Sequence, residues 1–118
     1  MAKLGSNTKW TIATEHRETV RRIMTEGLGL ESKPGPAPNF DLYGLDDGGM
    51  VGILYTERAE ALDDVAQAKS AWLEFVVDDS EKRAGILAKI GARPVEYTDK
   101  THSYFQVPGG PVFRLKSA

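Results

Sequence analysis

One order of local signals occurs twice in this chain, and that repetition limits the fold more than any single motif. An alternating strand leads into a capped helix, a glycine stops the helix, and further strands fold back over a two-glycine turn. The first pass covers about residues 9–57 and the second about 71–117, with 58–70 as the connection. Lys9–Thr14 alternates, with Trp10 and Ile12 on one face and Lys9, Thr11 and Ala13 on the other. Thr14 reads as a helix N-cap, with Glu15 suited to the first turn. Val20, Ile23, Met24 and Leu28 then recur at helical spacing, opposite Arg17, Glu18, Arg21 and Arg22. Gly27 or Gly29 ends that helix. Lys33–Asn39 is too rich in proline for regular structure. Phe40–Leu45 and Met50–Thr56 read as strands around the Asp46-Asp47-Gly48-Gly49 hairpin turn, with room for a short strand near Leu30–Lys33.

The second pass repeats the plan. Trp72–Val77 is a strand with Leu73, Phe75 and Val77 on one face. Ser80 caps a helix that buries Ala84, Leu87 and Ile90 or Ala88, and Gly91 stops it. Arg93–Thr98 and His102–Val107 are strands across an Asp99-Lys100-Thr101 turn. Pro108-Gly109-Gly110-Pro111 reverses the chain into a closing strand, Val112–Lys116. Setting Lys9 against Trp72 keeps the two passes in phase. Arg58–Ser70, rich in alanine and acid, is a connection with a helical turn. Each βαβββ-like unit would leave a sheet face bare and must bury it against a partner.

Composition excludes several classes. A chain of 118 residues with net charge −2 lacks the basic surface of a nucleic-acid binder. No apolar run reaches the roughly 20 residues of a membrane span, and the first residues lack the apolar core of a signal peptide. The expected location is therefore the cytoplasm. The absence of cysteine removes disulfides, thiolate metal sites and cysteine nucleophiles. No phosphate-cradling glycine loop or Ser-His-Asp order is present.

Three stretches carry a resemblance: Trp72–Asp79, the helix end Lys89-Ile90-Gly91-Ala92, and Tyr104–Leu115. They resemble the vicinal oxygen chelate superfamily of glyoxalases, bleomycin-resistance proteins and extradiol dioxygenases. In the first half Leu28-Gly29-Leu30 is the best anchor. The resemblance implies an α+β fold over residues 1–118, a single domain of two βαβββ modules whose mixed sheets curl around a cavity. A ferredoxin-like sandwich is the alternative, but it has fewer strands per half. The resemblance also implies a homodimer. Metal-using members place His, Gln or Glu on the starting and closing strands. The matching residues here are Lys9, Ile53, Trp72 and Arg114, none a good divalent-metal ligand. Arg114 stands where the family's closing Glu would be. The expectation is therefore no metal and no cofactor.

Strand parity supplies the candidate cavity lining. Lys9, Thr11, Asp41, Tyr43, Val51, Ile53 and Tyr55 point inward in the first half. Trp72, Glu74, Val76, His102, Tyr104, Gln106, Val112, Arg114 and Lys116 do so in the second. The ligand-binding candidates are Trp72, Glu74, His102, Tyr104, Arg114, Tyr43 and Tyr55. Glu74 and Arg114 read either as a structural ion pair or as a ligand-recognition pair, with Arg114 able to grip a carboxylate or phosphate. Trp72 and Tyr104 suit stacking or packing. Glu74 or His102 is the base that metal-free catalysis would use, and no reaction is named. Three readings stand: a metal-independent small-molecule binder, an enzyme of the superfamily with displaced ligands or metal-free chemistry, and a non-catalytic dimeric interaction module.

Overall fold

The computed structural model describes residues 1–118. Its first module is β1 (Thr8–Ala13), a helical segment centred on α1 (Arg17–Arg22), β2 (Glu31–Lys33), β3 (Phe40–Gly44) and β4 (Met50–Thr56). A strap follows, containing the short helix α2 (Asp64–Ala68). The second module is β5 (Leu73–Val77), α3 (Ser80–Ile90), β6 (Arg93–Pro94), β7 (Tyr104–Gln106) and β8 (Val112–Ser117). The strands form two four-stranded sheets of the same design, β1-β4-β3-β2 and β5-β8-β7-β6. In each, the first strand pairs in parallel with the last, and the other pairings are antiparallel. The expected βαβββ repeat is thus the architecture observed. No helix is long and apolar enough to cross a membrane.

A single core joins the modules. Trp10, Ile12, Ile53 and Tyr55 from one sheet meet Phe75, Phe105, Phe113 and Leu115 from the other, with Val20, Ile23, Met24 and Leu87 from the helices. The link is tight where the first helix ends. Ile23–Gly27 widens into a π turn, in which the Leu28 N–H donates to the Ile23 carbonyl at 2.8 Å. The extra residue in that turn directs Ile23, Met24 and Gly27 inward together. Gly27 is needed there because a Cβ would stand 2.4 Å from Leu87 Cδ2. Beside it, Arg83 on α3 donates to the Glu26 carbonyl at 3.2 Å and to Asp78 at 2.9 Å.

The helix caps differ in detail from the sequence reading. Thr14 makes no capping bond; its hydroxyl donates to the Thr56 carbonyl at 3.1 Å and ties β1 to β4. Asp79, not Ser80, caps α3 by accepting from the Lys82 N–H at 3.1 Å. Ser80 is the first helical residue, and its N–H donates to Ser117 Oγ. Gly91 ends α3 at φ +115°, as its position predicted. On α3, Leu87 is buried, Ala84 and Ile90 are partly buried, and Ala88 is exposed. The strands expected at Arg93–Thr98 and His102–Val107 shrink to Arg93–Pro94 and Tyr104–Gln106, because the backbone between them folds around Asp99.

The strap fastens the second module to the first. The Gly109 N–H donates to Asp64 Oδ1 at 2.7 Å, and Gln106 Nε2 donates to the Asp64 carbonyl at 2.8 Å. Gln67 Nε2 donates to the carbonyls of Gly109 at 3.1 Å and of Thr11 at 3.2 Å. Gly109 sits at φ +69°, so the Pro-Gly-Gly-Pro turn passes against His16 and Ile12 where a side chain would collide. Replacing Leu87 with Ala should lower unfolding free energy by roughly 3 kcal/mol, since it empties the contact between the modules. Urea denaturation followed by circular dichroism checks this; a loss below about 1 kcal/mol would show that the modules do not depend on that contact.

Candidate functional site

Each sheet gives one face to the core and leaves the other open. On the second sheet the register settles which residues share the open face. Glu74 on β5 lies opposite Arg114 on β8, and Arg114 lies opposite Tyr104 on β7. Val76 and Lys116 continue that face, and Val76 is 59% exposed. Trp72, just before β5, joins them by placing its ring 4.8 Å below the Arg114 guanidinium. Parity therefore assigned this half correctly, because Phe75, Phe113 and Leu115 mark the opposite, buried face.

Arg114 is the centre of a polar cluster. Its Nε donates to Glu74 Oε2 at 2.6 Å. Its Nη1 lies 3.4 Å from Asp99 Oδ2 and 3.3 Å from the Tyr104 hydroxyl. Asp99 collects further donors: the Thr101 N–H at 2.8 Å, the Thr101 hydroxyl at 2.5 Å and the Tyr104 hydroxyl at 3.0 Å. The Thr101 hydroxyl and amide, with Tyr104 and His102, hold the Asp99 carboxyl well below the usual carboxylate range. Tyr104 and Glu74 in turn raise Arg114 above its ordinary value. His102 Nδ1 lies 2.8 Å from Asp99 Oδ2; as a donor there it leaves Nε2 as an acceptor. Tyr97 closes the cluster with its ring 4.7 Å from that of Tyr104 and 6.5 Å from that of Trp72.

Two clefts border the cluster. One of about 240 Å³ is lined by Tyr97, Asp99, His102 and Tyr104 among others. The other, about 390 Å³, lies between the start of α3 and the end of β8 and includes His102, Ser80, Ser117 and Lys116. Five of the seven sequence candidates thus come together: Trp72, Glu74, His102, Tyr104 and Arg114. Asp99 and Tyr97 were missed. The Asp-x-Thr spacing that makes Asp99 accept from Thr101 was visible, but it reads only as a turn. Gln106, also expected to face inward, is on the open side of β7 but is covered by the strap and fully buried.

Tyr43 and Tyr55 lie elsewhere. In β4, Ile53 lies opposite Trp10 and Tyr55 opposite Ile12, so Val51, Ile53 and Tyr55 face the core. Tyr43 and Asp41 share that face through their pairing with Val51 and Ile53. The inward assignment of Asp41, Tyr43, Val51, Ile53 and Tyr55 is therefore inverted: they sit beneath the first helix, and the open face carries Lys9, Thr11, Phe40, Leu42, Gly52 and Leu54. Tyr43 and Tyr55 are 2% and 1% exposed, and burial pushes both phenols up, Tyr43 to about 12. Asp41 survives in this setting because Arg17 and Arg21 both grip it, at 2.7 and 2.8 Å. Arg17 also lies 4.9 Å over the Tyr55 ring.

The positions that the resemblance gives to metal ligands can now be judged by chemistry. Lys9, Trp72 and Arg114 are on open faces, whereas Ile53 is not; Leu54 takes its place. Lys9 donates to Thr11 Oγ1 at 2.8 Å, and Arg114 is held by two carboxylates. No group of three or more His, Cys, Asp or Glu residues is placed to hold a metal ion. The donor set does not fit a divalent cation.

The two sheets together define the paired βαβββ architecture of the glyoxalase and bleomycin-resistance fold. Solved structures named for fosfomycin resistance and as a glyoxalase family protein match it along its whole length. The fosfomycin resistance protein FosX from Mesorhizobium loti has a TM-score of 0.71 at 15% identity, covering 98% of this chain and 91% of its own. A putative glyoxalase family protein from Bacillus anthracis has a TM-score of 0.70 at 15% identity, covering 99% and 96%. FosX from Listeria monocytogenes has a TM-score of 0.71 at 9% identity, covering 100% and 92%. At these identities the likeness is one of fold. No family model and no curated protein matches the sequence.

The Asp41 cluster yields a pH prediction. Burial alone would raise the Asp41 carboxyl, but hydrogen bonds from Arg21 and Arg17 outweigh it and bring it to about 2. The stability this contributes is present above the unfolded carboxyl value near 3.9 and is lost as pH falls through about 2. Asp41→Asn should cost about 2 kcal/mol at pH 7 and flatten the stability profile between about pH 4 and 2. Denaturant titrations of both proteins across that range test it, and parallel profiles would refute the assignment.

Proposed function

We propose that this chain is a metal-independent small-molecule-binding protein of the glyoxalase and bleomycin-resistance type. The observation that carries the reading is the Arg114 cluster. The closing strand presents a guanidinium, tied to Glu74, Asp99 and Tyr104 and stacked on Trp72, on an open sheet face. A surface of aromatic rings with a few fixed polar groups is how small-molecule sites are built. The fold neighbours named for fosfomycin resistance support the reading by analogy of fold alone.

A homodimer is part of the proposal. The open faces carry half-buried Phe40, Leu42 and Leu54 on one sheet and exposed Val76 on the other. A second copy laid across these faces would enclose the site and bury that apolar surface. Sedimentation velocity should find a dimer at micromolar concentration; a monomer persisting to hundreds of micromolar would remove this part of the proposal.

A second reading has one observation in its favour. The His102–Asp99 pair orients an imidazole beside both clefts, which is the arrangement of a general base. Metal-free catalysis on a bound substrate would use it.

Thermal denaturation against a broad panel of metabolites and antibiotics tests the function. A binder gains RT ln(1 + [L]/Kd), so a ligand at a hundred times its Kd adds about 2.7 kcal/mol. At least one compound should raise Tm, Arg114→Met should abolish the gain, and EDTA should leave it unchanged. A gain that chelation removes would overturn metal independence. No gain from any compound would favour a non-catalytic interaction module.

A further inference from the structure

The chemistry of the ligand can be read one step further, on the premise that the Arg114 face is the binding site. Arg114 and Glu74 are incompletely used. Nε of Arg114 is spent on Glu74 Oε2, and Nη1 on Asp99 and Tyr104. Nη2 of Arg114 and Oε1 of Glu74 make no hydrogen bond within the chain, and the two side chains are 27% and 30% exposed. The ion pair therefore offers an unused donor and an unused acceptor on one face. A ligand that satisfies both carries an acceptor next to a donor, as a lactam or primary amide does.

Two further features narrow the class. Trp72 and Tyr97 keep 39% and 42% of their surface exposed at the edge of this pair, and with Tyr104 they form a wall of three rings. Exposed rings beside a fixed polar edge favour a flat ligand that stacks. The local charge is two carboxylates, Glu74 and Asp99, against one guanidinium. Nearby, Lys100 pairs with Glu96 and His102 lies 2.8 Å from Asp99, while Lys116 and Arg93, further out on the same face, make no ion pair. An anion reaching Arg114 Nη2 would lie against the Glu74 and Asp99 carboxylates that already pair with the guanidinium, and repulsion between like charges opposes it.

We propose that the open face around Arg114 binds flat heteroaromatic compounds that present a lactam-type donor–acceptor edge and carry no negative charge. Glu74 Oε1 accepts from the ligand N–H, Arg114 Nη2 donates to the ligand carbonyl, and the Trp72 and Tyr97 rings hold its plane.

Three probes that differ only at that edge test this: 2-quinolinone, its N-methyl derivative, and quinoline-2-carboxylate. The chain has two tryptophans, so its NMR spectrum has two indole N–H signals, one from buried Trp10 and one from exposed Trp72. 2-Quinolinone should shift the Trp72 signal saturably and leave that of Trp10 in place. The N-methyl compound, which cannot donate to Glu74, and the carboxylate should each bind at least tenfold more weakly. In Glu74→Leu the difference between the lactam and its N-methyl form should vanish. Equal or tighter binding of the carboxylate or of the N-methyl compound would overturn the proposal. So would an unmoved Trp72 signal; if the thermal panel still yields a ligand, the binding function stands and only this assignment of class falls.

Discussion

Neither half of this chain can bury its own sheet, and the structure depends on how that constraint is met. Each four-stranded sheet has one helical segment to cover it, too little to seal a core. The two modules solve this by sharing. The π turn at the end of the first helix drops Gly27 against Leu87 of α3, and the sheets close on this contact from either side. A wider residue at Gly27 would hold the helices apart and open both half-cores at once. The same arrangement leaves the other face of each sheet free, so the packing that makes the fold also exposes the surface that carries the Arg114 cluster.

On that surface the polar groups are organised by a cation that belongs to the chain. Arg114 collects Glu74 from β5, Asp99 from the loop before β7, and the Tyr104 hydroxyl. Unlike a metal, the guanidinium is planar, directional and stacked on an aromatic ring, so its partners are fixed in direction as well as in charge.

The second module was largely legible in the sequence. Its strands alternate aromatic and aliphatic residues with polar ones, so Phe75, Phe113 and Leu115 set a phase that Glu74, Tyr104 and Arg114 follow on the opposite side. The first module resisted because β4, Met50–Thr56, is apolar at almost every position and its alternation has no sign. Asp41 misled further: a carboxylate reads as solvent- or ligand-facing, yet Arg17 and Arg21 reach over from the first helix and carry it into the interior. Those partners are 24 and 20 residues away and no local pattern announces them. Asp99 and Tyr97 stayed hidden for a related reason. Their positions follow from a loop that wraps around one carboxylate, a tertiary arrangement that strand periodicity does not encode.

The strap has a consequence for the integrity of the first sheet. β1 is an edge strand, and an uncovered edge is a template for pairing with another chain. Gln67 occupies the Thr11 carbonyl on that edge, and Gln67 is itself held by the Gly109 carbonyl, with Asp64 beside it bound to the Gly109 N–H. The guard on the first sheet is thus anchored in the last turn of the second. Damage to the Pro-Gly-Gly-Pro turn of the second module would be felt as self-association through β1 of the first.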